Sequence, residues 1–209
     1  MMKRSPLLPL FLLLALLPCT ARAAEEEKRI PGPLVVYSDE LMFTVKEPTG
    51  WIGDIEKAPH IQAAVALYRE EETFEENSSL IAVRVSAKVD ENTKEDLAYD
   101  MQEVRSLYPD VRFSDLAVKH PSYKTFSKIF AIPDRRYEYV TFLNPGRKTH
   151  YLFTVVMNTG AREAEQDELQ AYRDVVRSIE YIPQEGVKPP KKADPAGGKK
   201  KEPAEKSGK

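Results

Sequence analysis

Cysteine is nearly missing from this chain of 209 residues: there is one, Cys19, inside an apolar N-terminal run. If that run is an export signal, the mature body holds no thiol, which excludes disulfides, cysteine nucleophiles and thiolate metal sites. Histidine is scarce as well. His60, His120 and His150 stand far apart, without the i, i+2 or i, i+4 pairing that places two metal ligands on one element. Each reads as a solvated residue at a strand end. There is no Gly-x-Ser-x-Gly, no His-Glu-x-x-His, no Walker loop and no dinucleotide glycine pattern. No catalytic residue, metal or cofactor is therefore expected, and the chain is not read as an enzyme. The longest apolar run also falls short of the ~20 residues that span a bilayer.

That run is the first thing the sequence does contain. Lys3 and Arg4 precede the apolar Leu7 to Leu17, and Ala21-Arg22-Ala23 supplies the small residues of a cleavage site. The reading is an export signal over residues 1–23, cut before Ala24, in a bacterial protein that is periplasmic or secreted. Leu16-Leu17-Pro18-Cys19 resembles a lipobox, although Pro18 stands where a small residue belongs. Lipidation of Cys19, giving an envelope lipoprotein, is the alternative.

Charge is divided unevenly. Residues 24–182 hold 20 basic and 29 acidic side chains, whereas residues 183–209 hold eight lysines and four acids. An acidic body is a poor match for nucleic acid, which selects a basic face. The tail is rich in Pro, Gly, Lys and Ala without apolar periodicity, so it cannot offset its conformational entropy and is expected to be disordered. Its sharper use would be a weak, reversible contact with an anionic membrane surface.

Between a linker at 24–34 and the tail lies one domain, residues 35–182. Val35-Val36-Tyr37 and Leu41 to Lys46 read as a hairpin turning at Ser38-Asp39-Glu40, with Leu41, Phe43 and Val45 on one face. The Glu47–Gly50 turn ends it and delivers Trp51 as a core plug. Ile61 to Arg69 alternates like a strand. Glu70 to Glu76 carries five glutamates but lacks the spacing and glycine of a calcium loop, so it reads as solvated. Asn77-Ser78-Ser79 fits a glycosylation sequon, idle in a bacterium. Leu80 to Val89 has a period of two and reads as a half-exposed strand. Asp90-Glu91-Asn92 can cap a helix over Thr93 to Leu107, whose stripe is Leu97, Met101, Val104 and Tyr108 and which Pro109 stops. Val111 to Val118 and Tyr123 to Ala131 read as extended. Ala161 to Ile179 reads as a second helix, with Leu169, Tyr172, Val175 or Val176, and Ile179 inward.

The centre is Arg136 to Met157. Two aromatic, β-branched runs flank Asn144-Pro145-Gly146-Arg147-Lys148, a turn signal, and both are apolar on both faces, as buried central strands are. With about seven strands in runs and two helices, the fold class is α+β, a mainly antiparallel sheet flanked by helices. Glu138 reads as outward or as the partner of Arg135, Arg136 or Lys148. Tyr137, Tyr139, Phe142, Tyr151 and Phe153 crowd this hairpin. Core packing is their ordinary use. The functional reading makes Tyr137, Tyr139 and Tyr151, with Arg136 and Arg147 at the hairpin ends, a partner-binding patch.

Phe43-Thr44-Val45-Lys46-Glu47-Pro48-Thr49-Gly50-Trp51 resembles the Phe-x-Val-x-x-Pro-x-x-Trp opening of PsbP-like and Mog-like domains. Val175-Val176-Arg177-Ser178-Ile179-Glu180 is similar to their closing motif. The resemblance implies an α/β/α sandwich over about residues 35–182 that binds other proteins and has no shared catalytic motif. It transfers no functional residue. The expected function is an exported, non-enzymatic domain with an accessory or chaperone-like role that binds a protein or envelope component. The alternative is a hydrolytic enzyme with an unrecognised Glu or His site.

Overall fold

A computed structural model describes residues 32–38, 41–88 and 93–184. The expected export signal, Cys19, most of the linker, Asp39–Glu40, the expected Asp90–Asn92 cap and nearly all of the tail lie outside the described residues. In chain order the elements are β1 (Pro33–Tyr37), β2 (Met42–Lys46), β3 (Trp51–Asp54), a 3-10 turn (Ala58–Ile61), β4 (Val65–Arg69), β5 (Leu80–Ala87) and α1 (Thr93–Leu107). Then come β6 (Arg112–Asp115), β7 (Lys124–Ile132), β8 (Arg136–Asn144), a 3-10 turn (Gly146–Lys148), β9 (Tyr151–Asn158), α2 (Gln166–Ser178) and β10 (Glu180–Tyr181).

The β8–β9 hairpin is central, as its doubly apolar strands require. The seven-stranded sheet runs β3-β4-β5-β9-β8-β7-β6 and is antiparallel throughout. Tyr139 stands opposite Met157, and Leu143 opposite Phe153. Gly146 takes φ +80° in the connecting turn, and its N–H donates to Asn144 Oδ1 at 2.8 Å. That left-handed conformation suits glycine, which has no Cβ to clash.

The large sheet has the seven strands expected; a second sheet, β1-β2-β10, was not foreseen. Its strand β10 closes the domain by pairing Glu180 with Thr44 and Tyr181 with Phe43. Two further expectations are corrected. The strand begins at Val65, not Ile61, because Pro59 opens a 3-10 turn and Gln62 ends it at φ +56°. Trp51 follows the turn and is buried as expected, its backbone N–H donating to the Pro48 carbonyl at 3.0 Å, and it also opens β3. The second helix begins at Gln166, not Ala161, because Glu165 and Glu168 form a capping box, with the Glu165 N–H donating to Glu168 Oε2 at 2.7 Å.

Each sheet face has its own core. Toward α2 and the small sheet lie Phe43, Val45, Leu67, Ile81, Val83, Leu143, Phe153, Val155, Met157, Tyr172, Val175 and Val176, all without measurable exposure. Both valines of the helix are thus inward. Each such side chain contributes about 1.5–3 kcal/mol by leaving water. The sheets approach closely at Gly53, where a Cβ would lie 2.1 Å from Leu34 Cδ1. Toward α1 the core is smaller: Leu97, Val111, Phe130, Ile132, Val140, Phe142 and Leu152, with Met101, Val104, Tyr108 and Phe126 half-buried around them.

Candidate functional site

Residues of the sheet alternate between faces, so one row crosses β5, β9, β8 and β7 on the α1 side: Arg84, Thr154, Phe142 and Phe126. Helix α1 packs over β8 and β7 and covers the aromatic end of that row. At the far end of the same face, Ala66 and Ala82 are covered by the 3-10 turn and by Phe74. Between the two covers, β5 and β9 are left open. The result is a groove of about 1030 Å³. Phe142, Leu152 and Val156 form its apolar floor, beside Arg84, Ser86 and Thr154.

One wall of the groove is α1. Its apolar stripe is narrow, and of it only Leu97 is fully buried, so the adjacent helix positions stand free of the sheet. They present Glu95, Asp96, Tyr99, Asp100 and Glu103 to the opening. Tyr99 is 71% exposed, an unusual state for a large aromatic side chain. The helix is held at its ends. Asn144 Nδ2 donates to the buried Thr93 Oγ1 at 2.6 Å, joining the first turn of α1 to the end of β8. Beyond its last turn, the guanidinium groups of Arg135 and Arg136 lie 5.3 and 5.6 Å from the centre of the Tyr108 ring.

The electrostatics of the wall are one-sided. Burial pushes the Asp100 carboxyl up to about 6, and the negative charges of Glu138 and Glu103 push in the same direction; Arg84 alone opposes them among the named causes. A cation placed here would therefore relieve repulsion that the fold leaves in place. This groove is chemically suited to a ligand with positive charge and an apolar part.

The hairpin residues expected to form a partner-binding patch are separated by the pleat. Tyr139 is 3% exposed, and its hydroxyl accepts the Ala164 N–H at 2.8 Å, so its ring belongs to the α2-side core. Tyr137 and Tyr151 pack half-buried against the same core. Arg136 lies toward the other face, 3.2 Å from Glu138, which fulfils the expected pairing of that carboxylate. Arg147 is exposed in the hairpin turn beyond Asn144, so the whole length of β8 separates it from Arg136. No single surface gathers the five. Cys19 lies outside the described residues. Of the hairpin aromatics only Phe142 reaches the groove.

The histidines do not meet either. His120 is half-buried: its Nδ1 accepts the Ser122 and Tyr123 N–H groups, and its Nε2 lies 2.9 Å from the Ile179 carbonyl. That arrangement selects the neutral ring with the proton on Nε2. Burial holds its pKa below the ordinary value, against the Ile179 carbonyl and Glu180. His60 and His150 are exposed. Among the described residues no group of three or more His, Cys, Asp or Glu is placed to hold a metal ion, and no helix is long and apolar enough to cross a membrane.

A buried acid escaped the sequence reading. Glu168 has no exposed surface, and Arg162 donates to both of its oxygens at 2.6 and 2.7 Å. Burial pushes this carboxyl up, but the Arg162 and Glu165 hydrogen bonds prevail and hold it below the ordinary value. Its place in the capping box makes it part of the α2 terminus rather than of a cleft. The Glu-x-x-Glu spacing at 165–168 was the available signal.

No family model matches the chain, and no curated protein does. Among solved structures, the cyanobacterial PsbP protein (CyanoP) from Synechocystis is similar, with 18% identity, a TM-score of 0.47, and coverage of 75% of this chain and 96% of that one. A mutant of the protein Mog1 is similar at 13% identity and a TM-score of 0.47, covering 73% of this chain and 96% of that one.

Proposed function

We propose that this chain is an exported, non-enzymatic binding module that receives a basic, partly apolar segment of a partner protein between α1 and the open half of the sheet. The groove carries the reading. Its volume of about 1030 Å³ is at the upper end of small-ligand pockets, and its outer wall is a helix with an exposed tyrosine. Peptide segments dock in such grooves by setting apolar anchors on the floor. The carboxylates of the wall select for lysine or arginine beside those anchors.

The hydrolytic reading finds no comparable support. Acid–base chemistry calls for two groups pushed in opposite directions within one cleft. Asp100 is pushed up, whereas His120 and Glu168, the buried groups held down, lie outside the groove.

The test uses a photo-crosslinking residue at Tyr99, with Tyr37 on the small sheet as control, and a synthetic peptide that alternates lysine with leucine. Saturable crosslinking at Tyr99, absent at Tyr37 and lost in Asp100→Lys/Glu103→Lys, is the expected result. Equal labelling at the two positions, or labelling indifferent to the charge reversal, overturns the reading. Export is checked on the mature N-terminus: Ala24 is expected, and an acylated Cys19 would make the protein an envelope lipoprotein instead.

A further inference from the structure

We infer that the groove's occupant is an amphipathic α-helix of a partner protein, with its apolar face on the floor and a stripe of lysine or arginine along the flank that meets α1. The inference rests on the reading of the groove as a binding surface, and it names the form and chemistry of the segment that enters.

Spacing is the first support. Thr93 at the start of α1 and Tyr108 just past its end meet Asn144 and Arg136, the two ends of β8, so the helix runs along the strands. It lies over β8 and β7, and the next two strands of the sheet are β9 and β5. Strands are about 4.8 Å apart, so the midline of β5 and β9 is about 9.6 Å from that of β7 and β8. Packed helices have their axes about 8–10 Å apart. The open half of the face has the width of one more helix beside α1. In the other direction, Leu152, Thr154 and Val156 cover about 13 Å of β9, roughly two and a half helical turns.

Hydrogen bonding is the second support. From Phe153 to Asn158, β9 pairs with β5 on one side and, through the same residues, with β8 on the other. The floor is therefore a sheet face whose backbone groups are already engaged. An extended segment laid over it would bury N–H and C=O groups without partners, and each such group costs free energy. A helix bonds its own backbone internally and brings only side chains to the floor. The nearest strand edge is Arg84–Ala87, which pairs with β9 and lies past Val83, the last residue of β5 in register with β4. A segment added there would sit a strand beyond β5, away from the α1 wall.

The flank of α1 supplies the third support. Asp100, Glu103 and Leu107 are three and then four residues apart, so they share one side of the helix. The opposite side points toward β6, where the Arg105 guanidinium lies 5.0 Å from the centre of the Phe113 ring. Arg84 acts on Asp100 from β5, so the Asp100 side is the one that faces the open strands. Tyr99 and Leu107 are 71% and 68% exposed, and both line a shallow extension of the groove along α1. A helix seated there would cover both and answer Asp100 and Glu103 with cations. Because Arg84 stands on the β5 side, the basic stripe has to lie toward α1.

The test compares the alternating lysine–leucine peptide with a second peptide of the same length and composition, whose leucines fall three and four residues apart. Each is added to the full mature chain carrying the photo-crosslinker at Tyr99. The second peptide is expected to bind about tenfold tighter, because an extended backbone leaves groups unsatisfied on the floor. It should also gain far-UV helical ellipticity on binding. Asp100→Asn/Glu103→Gln, which removes charge without reversing it, should weaken that binding about fivefold and reduce its salt dependence. Affinity unchanged by this pair overturns the basic stripe. Equal or tighter binding of the alternating peptide gives the site to an extended segment, which overturns the helix yet leaves the groove as a binding site. Crosslinks from Tyr99 to a second copy of the chain, without peptide, give the seat to that copy and overturn the proposal as well. Binding of neither peptide removes the helix and the reading of the groove together.

Discussion

The two faces of the large sheet are built from the same strands and finished differently. On the α2 side, a helix and a second sheet fill the face, with Tyr172 and Phe153 fully buried and even a carboxylate buried beneath a half-exposed arginine. On the α1 side a helix of similar length covers half the face and leaves β5 and β9 open. Coverage, not composition of the strands, separates the structural face from the available one. The α2 side spends its apolar surface on cohesion, and the α1 side keeps part of it for contact.

The largest test of this difference is a pair of truncations. Tyr172→Ala, which empties a fully buried site and removes a hydroxyl 2.7 Å from Thr141 Oγ1, should cost about 3–5 kcal/mol in chemical denaturation. Met101→Ala, on the half-covered side, should cost about 1 kcal/mol. Similar costs for the two would mean that α1 is as firmly packed as α2.

The faces should also respond to pH in opposite directions. His120 has a depressed pKa in the folded chain, so the unfolded chain binds its proton more tightly. Its stabilisation is present above 6.5, its ordinary value, and is lost as pH falls below it. Asp100 is raised from 3.8 to about 6, so here the folded chain holds the proton more tightly. Its contribution is present below 3.8 and is lost as pH rises through 6, where its charge meets Glu103 and Glu138 with Arg84 opposite. Melting curves from pH 4 to 8 should show Asp100→Asn more stable than the native chain above pH 6, and His120→Gln without the loss that begins near 6.5. An Asp100→Asn curve parallel to the native one throughout would remove the one-sided electrostatics of the groove.

The smallest effect is expected from truncation after Gln184. The removed residues carry no apolar face, so stability should change by less than about 0.5 kcal/mol. A loss of several degrees in Tm would give the tail a structural role.

Much of the fold was legible because period and punctuation agree in this chain. The alternation of Leu80 to Ala87 and the stripe Leu97, Met101, Val104 and Tyr108 led to β5 and α1, the latter with both ends as expected. The second sheet was not legible, because β10 is two residues long and pairs with a strand far away in sequence. The dispersal of the expected patch residues was hidden for a related reason. Tyr137, Tyr139 and Tyr151 are neighbours in the hairpin, but the pleat and α2 decide which rings stay accessible. The groove is defined by where α1 stops covering the sheet, and the outward Arg84 and Ser86 of a half-exposed strand were its one sequence trace.

The way α1 is mounted has a consequence for how such a domain can diversify. The helix rests on β7 and β8 along Leu97, Met101 and Val104 and is pinned at its ends by Thr93, bonded to Asn144, and Tyr108, under two arginines, like a beam fixed along one edge. Residues beneath the open span, among them Arg84, Ser86 and Thr154, do not carry the beam. They can be exchanged, in a descendant or by design, without dismantling the frame. Recognition and foldability are thus written in different residues, and one can be rewritten while the other is kept.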